Sequence, residues 1–419
     1  MKFFRILLLA TLLVCVGCTV PLPDDFEITP VDDAVVGNNP MVHQEGMQIV
    51  DPDGNPLKLR GVLLEGWLQW NGPLWGAGLT SETQIATRLE QLVGPEQFQA
   101  FQTGIYDNFI TERDIEMIAE LGLNVVRVPI NHHVLESASG EVDETAVGWA
   151  YLDRLLEWCT RHDVYVVLDL HSAPGGQSSV FVADPDEQKL WQSEENEAQT
   201  VALWRAMAAR YKDEQIVAGY DLLNEPGFTN PAELIELYLR IIEAIREVDP
   251  YHMIIIEGNN LTTDYTMFLQ PLSSNQTYSF HTYNFLSNQV DEEQMQKLVA
   301  LAEAQNVPLW NGEFGAHNAE WVAATMATFE NPDNHVSGWV FWPWKRVSET
   351  NVRYRHLMEI PTTEAWDAVR TAVAWPIDPN NQMAPETAVT GMNEFLESIS
   401  AENLVIDQAI ANILTSFEK

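Results

Sequence analysis

The tripeptide Asn224-Glu225-Pro226 closes the apolar run Val217–Leu223, and a second glutamate, Glu313, follows the short run Val307–Trp310 within Trp-Asn-Gly-Glu-Phe-Gly. Two glutamates delivered by the ends of buried strands are the groups that break a glycosidic bond. One protonates the leaving oxygen while the other attacks the anomeric carbon or activates water. Asn-Glu-Pro alone says little; the second glutamate at the matching end of a later strand makes a pair. Arg127, His171, His281 with Tyr283, and Trp342 also stand at the C-terminal ends of apolar runs or just past them.

A metal-dependent hydrolase is the competing chemistry, because Asp169, His171, Glu225, His281 and Glu313 are all ligand types. Against it, no His-x-His or His-Glu-x-x-His spacing occurs, His132 and His133 would diverge on an extended chain, and Arg127 opposes a cation. The expectation is no metal and no cofactor. A catalytically dead sugar-binding barrel is a further alternative, weakened by the presence of both glutamates.

The elements that must position these residues follow from the apolar runs. They lie near Leu59–Leu64, Asn124–Val128, Val164–Leu170, Val217–Leu223, Met253–Glu257, Thr277–Phe280, Val307–Trp310 and Gly338–Phe341. Their continuous apolarity suits parallel strands covered on both faces. Eight of them, alternating with amphipathic helices, predict an α/β fold, a single (β/α)8 barrel. A doubly wound sheet fits the same pattern, but the count and the one-ended polar residues favour closure. In a barrel the C-terminal strand ends converge on one face, so distant residues would meet in one cleft.

Local signals punctuate the chain. Thr111 caps a helix, with Ile110 and Ile115 as a staple and Gly122 as its stop, and Asn230-Pro231 opens another that runs to about Glu247. Met47–Leu59 reads as a hairpin turning at Asp53-Gly54. Near the C-terminus, Glu364–Ala374 and Glu386–Ser398 read as helices, one of them the expected eighth barrel helix. Leu404–Phe417 is amphipathic and is expected to pack underneath.

The 419 residues carry 22 Lys+Arg against 61 Asp+Glu, a net charge of −39, which excludes nucleic acid as a partner. Lys2 and Arg5 precede the apolar run Ile6–Val16, too short to span a membrane and right for a signal peptide. The run ends Cys15-Val16-Gly17-Cys18, which resembles a bacterial lipoprotein signal with Cys18 as the lipidated residue; Cys15 departs from the usual leucine and leaves plain secretion as the alternative. The expected organisation is therefore a signal over 1–18, a tether over 19–44 and a catalytic barrel over 45–419. That barrel would work outside the cytoplasm as a monomer, touching a membrane only through its lipid. Cys159 shares an apolar helical face with Leu152, Leu155 and Leu156 and reads as a core thiol.

The chain resembles family 5 of the glycoside hydrolases through a set of segments in order. They are Leu-Arg-Gly-Val at 59–62, Leu-Gly-Leu-Asn-Val-Val-Arg-Val-Pro at 121–129, Val-Leu-Asp-Leu-His at 167–171, Asn-Glu-Pro at 224–226, His-Thr-Tyr at 281–283, Gly-Glu-Phe-Gly at 312–315 and Gly-Trp-Val-Phe-Trp at 338–342. The insertion through Thr80–Asn108 and Asp-Leu-His-Ser-Ala-Pro-Gly-Gly-Gln at 169–177 are most similar to the exo-β-1,3-glucanase-like branch. Leu63-Leu64-Glu65-Gly66-Trp67 and Phe341-Trp342-Pro343-Trp344 depart from that branch.

The resemblance implies a retaining β-glycosidase with Glu225 as acid/base and Glu313 as nucleophile. Arg127 is expected to keep Glu313 ionised, leaving Glu225 protonated until it donates. Asn224 would bond the sugar 2-hydroxyl, His171, His281 and Tyr283 would position hydroxyls and the nucleophile, and Trp342 would offer a flat face to the sugar. Glu65, Trp67 and Trp344 are candidates for additional sugar contacts, with Trp70 and Trp75 as extensions of the platform. The implied substrate is a β-glucan, with β-1,3 linkage favoured over an endo-β-1,4-glucan, a mannan or another β-glycoside. Relatives often carry a cis peptide at the position of Trp342-Pro343.

Overall fold

The computed structural model describes residues 22–23, 26–31, 39–137, 139–227, 229–283, 291–315, 318–348, 355–374 and 383–417. The segment expected to be a signal, with Cys15 and Cys18, lies outside them. A two-stranded hairpin, β1 (His43–Glu45) and β2 (Gln48–Val50), precedes eight barrel strands. These are β3 (Leu59–Leu63), β4 (Val125–Asn131), β5 (Tyr165–Ser172), β6 (Val217–Asp221), β7 (Met253–Glu257), β8 (Gln276–Tyr283), β9 (Leu309–Gly315) and β10 (Val336–Phe341). Every neighbouring pair is parallel, and β10 pairs with β3 to close the ring. Seven of the eight are buried at every residue or all but one, as their apolar sequences require. β8 differs because its last two residues, Thr282 and Tyr283, emerge into the cleft half-buried.

Closure needs small residues where strands approach. A Cβ on Gly61 would lie 1.7 Å from the carbonyl oxygen of Val125 in β4. Helix starts follow the sequence signals. Thr111 N and Oγ1 donate to Asp114 Oδ2 at 2.8 and 2.9 Å, and Gly122 takes φ +77° just past the helix Glu112–Glu120. Asn230 accepts from Ala232 N at 3.0 Å ahead of Pro231–Arg246. Cys159 is fully buried, and burial pushes its thiol pKa well up, so it is a packed thiol and no nucleophile.

Three expectations change. The hairpin turns at Gly46-Met47 instead of Asp53-Gly54, which forms a tight turn stitched by Gly54 N to Asp51 O at 2.9 Å and a single Val50–Pro56 bridge. The turn chemistry at Asp53-Gly54 is real, but Pro56 has no N–H to continue a ladder. Packing against the barrel also begins before residue 45. Met41 and Val42 are buried, Asn39 Nδ2 donates to Tyr251 O at 3.0 Å, and Val31 N donates to Leu272 O at 3.0 Å, so parts of the expected tether are docked.

The third change concerns the C-terminal helices. Glu364–Val373 and Pro385–Ser398 pack on each other and on the insertion helices Glu82–Val93 and Pro95–Asn108. The last helix, Gln408–Leu414, packs against Ala319–Glu330, the helix between β9 and β10. Aromatic rings cement the first group: Trp366 stacks on Phe395 at 3.9 Å, and Trp75 meets both edge-on.

Candidate active site

The chain leaves β6 through Leu222 and Leu223 and then turns sharply. Glu225 takes φ +45°, a left-handed conformation that costs a non-glycine residue about 1–3 kcal/mol. Its surroundings hold it there. Glu225 N donates to Glu257 Oε2 at 2.6 Å, and Gln177 Nε2 donates to Asn224 O and to His171 O at 2.7 Å each. The strained turn aims the Glu225 carboxylate across the cleft toward β8 and β9. One carboxylate oxygen of Glu225, one of Glu313 and a ring nitrogen of His281 all lie within 4.8 Å of one another.

Arg127 occupies the floor without solvent exposure. Nε donates to Asp221 Oδ2 at 2.8 Å, Nη2 to Glu257 Oε1 at 2.8 Å and Asn224 Oδ1 at 3.0 Å, and Nη1 to Glu313 Oε2 at 3.2 Å, while Asp169 Oδ1 stands 3.2 Å from Nη2. His281 bridges two acids, with Nδ1 2.8 Å from Glu225 Oε1 and Nε2 3.2 Å from Glu257 Oε1. Burial alone would lower its pKa, but Glu257, Glu313 and Glu225 raise it well above the ordinary histidine range. Burial would likewise lower His171, yet Asp169, 2.7 Å from Nδ1, and Glu65, 3.5 Å from Nε2, raise it to about 10. Tyr283 Oη donates to Glu313 Oε1, and its ring meets Trp342 edge-on at 5.8 Å. Trp342 Nε1 donates to Glu65 Oε2, Asn71 Nδ2 donates to Glu65 Oε1 at 2.6 Å, and the Trp342–Pro343 peptide is cis.

The residues Glu225, Glu313, Arg127, His171, Asn224, His281, Tyr283, Trp342 and Glu65 thus converge on one end of the barrel. Trp67 and Trp344 do not reach it. Neither has exposed surface; Trp67 Nε1 donates to Tyr106 O at 2.9 Å and Trp344 Nε1 to Asp114 Oδ1 at 3.0 Å. Trp70 and Trp75 are buried against each other and Phe101 in the satellite aromatic cluster. All four hold the first loop onto its neighbours, and none forms a sugar platform.

Burial and the surrounding charges act differently on the two glutamates. Burial raises Glu313 to about 7, with Glu225 and Glu65 adding to the rise against the pull of His281 and Arg127. Burial raises Glu225 too, but the hydrogen bond and charge of His281, with His171 and Arg127 behind, leave it below the ordinary value. Arg127 is shared among four carboxylates and cannot be spent on Glu313 alone.

Glu257, Asp221 and Gln177 escaped the sequence reading. Glu257 closes β7 as the other site residues close their strands, so the strand-end rule could have found it. Asp221 and Gln177 carry no such local mark.

A closed parallel barrel with paired glutamates facing its cleft, one in the turn after β6 and one on β9, defines the class. Residues 87–348 match the family described as Cellulase (glycosyl hydrolase family 5), and the chain belongs to that family. It is 32% identical over 288 residues to a beta-xylosidase from Phanerodontia chrysosporium, covering 64% of this chain and 60% of the relative. It is 36% identical over 195 residues to endoglucanase C from Acetivibrio thermocellus, covering 45% and 54%. A third relative, the probable glucan 1,3-beta-glucosidase A of Aspergillus fumigatus, is 31% identical over 215 residues, covering 49% and 51%. The chain thus spans between half and three-fifths of these relatives' length. The crystal structure of rutinosidase from Aspergillus niger superposes with a TM-score of 0.56 at 18% identity, covering 71% of this chain and 93% of that one, a likeness of fold.

Proposed function

We propose that this protein is a retaining β-glycosidase acting on a β-glucan, with β-1,3 linkage favoured. The observation that carries the reading is the approach of Glu225 and Glu313 oxygens to within 4.8 Å around His281. Such a close approach suits direct attack, for which the two carboxyl groups stand about 5–5.5 Å apart. Glu313 attacks the anomeric carbon as the glycosidic C–O bond breaks, and Glu225 gives its proton to the departing oxygen. Water then loses a proton to Glu225, bonds the same carbon and frees Glu313.

The place of His281 between two carboxylates gives it a part. Held protonated between Glu225 and Glu257, it supplies a proton along the 2.8 Å Nδ1–Oε1 bond when sugar displaces water from the acid. Arg127 and Tyr283 then stabilise the Glu313 carboxylate that the acid's protonation favours. Asn224, fixed by Arg127, is aimed for the sugar 2-hydroxyl, and Trp342, fixed by Glu65, presents its face at the cleavage point. Export and lipidation at Cys18 remain part of this proposal and rest on the N-terminal sequence.

The test is sugar release from laminarin, cellulose, mannan and short β-glucosides by the protein and by Glu225→Gln and Glu313→Gln. Glucose from laminarin, lost in both variants, is the expected result. Release from another glycan would keep the mechanism and move the linkage. Release that survives Glu313→Gln would overturn the assignment.

A further inference from the structure

Beside the cleft, the chain leaves β4 in one 3-10 turn, His132–Val134, instead of the extended path on which adjacent histidines diverge. The turn brings the His132 and His133 rings to 3.9 Å between centroids, and Glu136 comes round beneath them. One potential ligand atom from each of His132, His133 and Glu136 lies within 4.8 Å of the other two. His132 Nδ1 stands 2.6 Å from Glu136 Oε2, so one oxygen of this carboxylate is engaged. The other, Oε1, is buried without a hydrogen-bond partner among the described residues, on a side chain only 3% exposed. A buried carboxylate oxygen with nothing donating to it calls for a positive charge or a proton donor.

We propose that His132, His133 and Glu136 bind a divalent late first-row cation such as Zn2+. Two imidazoles and one carboxylate are a donor set suited to that class, leaving a fourth position for water. Donors sharing a tetrahedral ion at about 2.0–2.1 Å stand about 3.3 Å apart, so the cluster closes by side-chain rotation of about 1–1.5 Å. His133 is exposed, so an ion can reach the cluster from solvent on its side. Asp184 and Asp186 act on His133 electrostatically and add negative potential at the entrance. The preceding residue ties the turn to the rest of the face: Asn131 Nδ2 donates to Glu82 Oε2 and Asp184 Oδ2, each at 3.1 Å. This inference does not depend on the proposed activity.

The experiment is calorimetric titration of the chelator-treated, full-length protein with Zn2+ in excess Mg2+, together with the thermal unfolding midpoint. One equivalent is expected to bind, to raise the midpoint, and to weaken about tenfold or more in both His133→Ala and Glu136→Gln. Glu313→Gln is expected to bind unchanged, since it removes a ligand only from the Glu225, His281 and Glu313 cluster. Absence of saturable binding, displacement by Mg2+, binding unchanged in His133→Ala, or binding lost in Glu313→Gln would each overturn the proposal.

Discussion

Replacing Glu225 by Gln should move the titration of a different residue, Glu313. In the free protein Glu313 titrates near 7, and the negative charge of Glu225 is one of the causes. Two unit charges at the 4.8 Å outer limit of this approach interact by about 3.5 kcal/mol at an effective dielectric of about 20, or about 2.5 pKa units. Part of the rise belongs to burial, which the substitution leaves, and His281 and Arg127 continue to pull downward. The expected Glu313 pKa in Glu225→Gln is therefore about 5, a fall of about 2 units. The assay is kcat/KM against pH with a dinitrophenyl β-glycoside, whose leaving group needs no proton. Activity needs Glu313 as carboxylate, so it falls as pH drops through the Glu313 pKa. That limb should shift from near 7 to near 5, and carboxyl NMR of glutamate-labelled protein should report the same group. A limb that stays within about half a unit of its original position would show that the two glutamates do not share a field, and the site geometry described above would be wrong.

Other outcomes follow from packing and pairing. Asp114→Ala strands Lys345, a fully buried ammonium 2.7 Å from Asp114, and should cost about 3–5 kcal/mol in denaturant unfolding, most of it restored by adding Lys345→Met. Glu65→Ala releases the Trp342 indole and should lower kcat/KM about 10- to 100-fold, matching a hydrogen bond to a charged group of about 1.5–3 kcal/mol, with the unfolding midpoint nearly unchanged. Gly61→Ala drives a Cβ into the Val125 carbonyl and should leave little folded protein in circular dichroism. A chain starting at residue 45 loses buried Met41 and Val42 and strand β1, and should unfold at lower denaturant than one starting at 19.

Much of the site was legible because one rule served for many residues: a polar side chain at the C-terminal end of an apolar run faces the cleft. Glu225, Glu313, Arg127 and His171 all obey it, as does Glu257, which went unread. Asp221 was illegible because its role comes from register. It pairs with Asp169 on one side and Ile255 on the other, and only that alignment brings its carboxylate to Arg127. The fates of Trp70 and Trp75 were hidden for a related reason. Trp75's partners Trp366 and Phe395 arrive about three hundred residues later in helices that no local pattern assigns to that face, and Trp70 rests on Trp75. The protonation order is a sum over all charges in the cleft, and the sequence names only the ones its motifs carry.

Arg127 is outnumbered. Around its single guanidinium stand Asp169, Asp221, Glu257 and Glu313, with Glu225 and Glu65 close by and two histidines as the remaining cations. Such a pocket is a poor host for a neutral ring and a good one for a ring that has become positive. Its fixed dipoles and charges are oriented before any sugar arrives, so no reorganisation is needed when the anomeric carbon takes on cationic character. The same imbalance selects among inhibitors: a protonated imino sugar carries permanently the charge that a substrate shows only at the summit of its reaction.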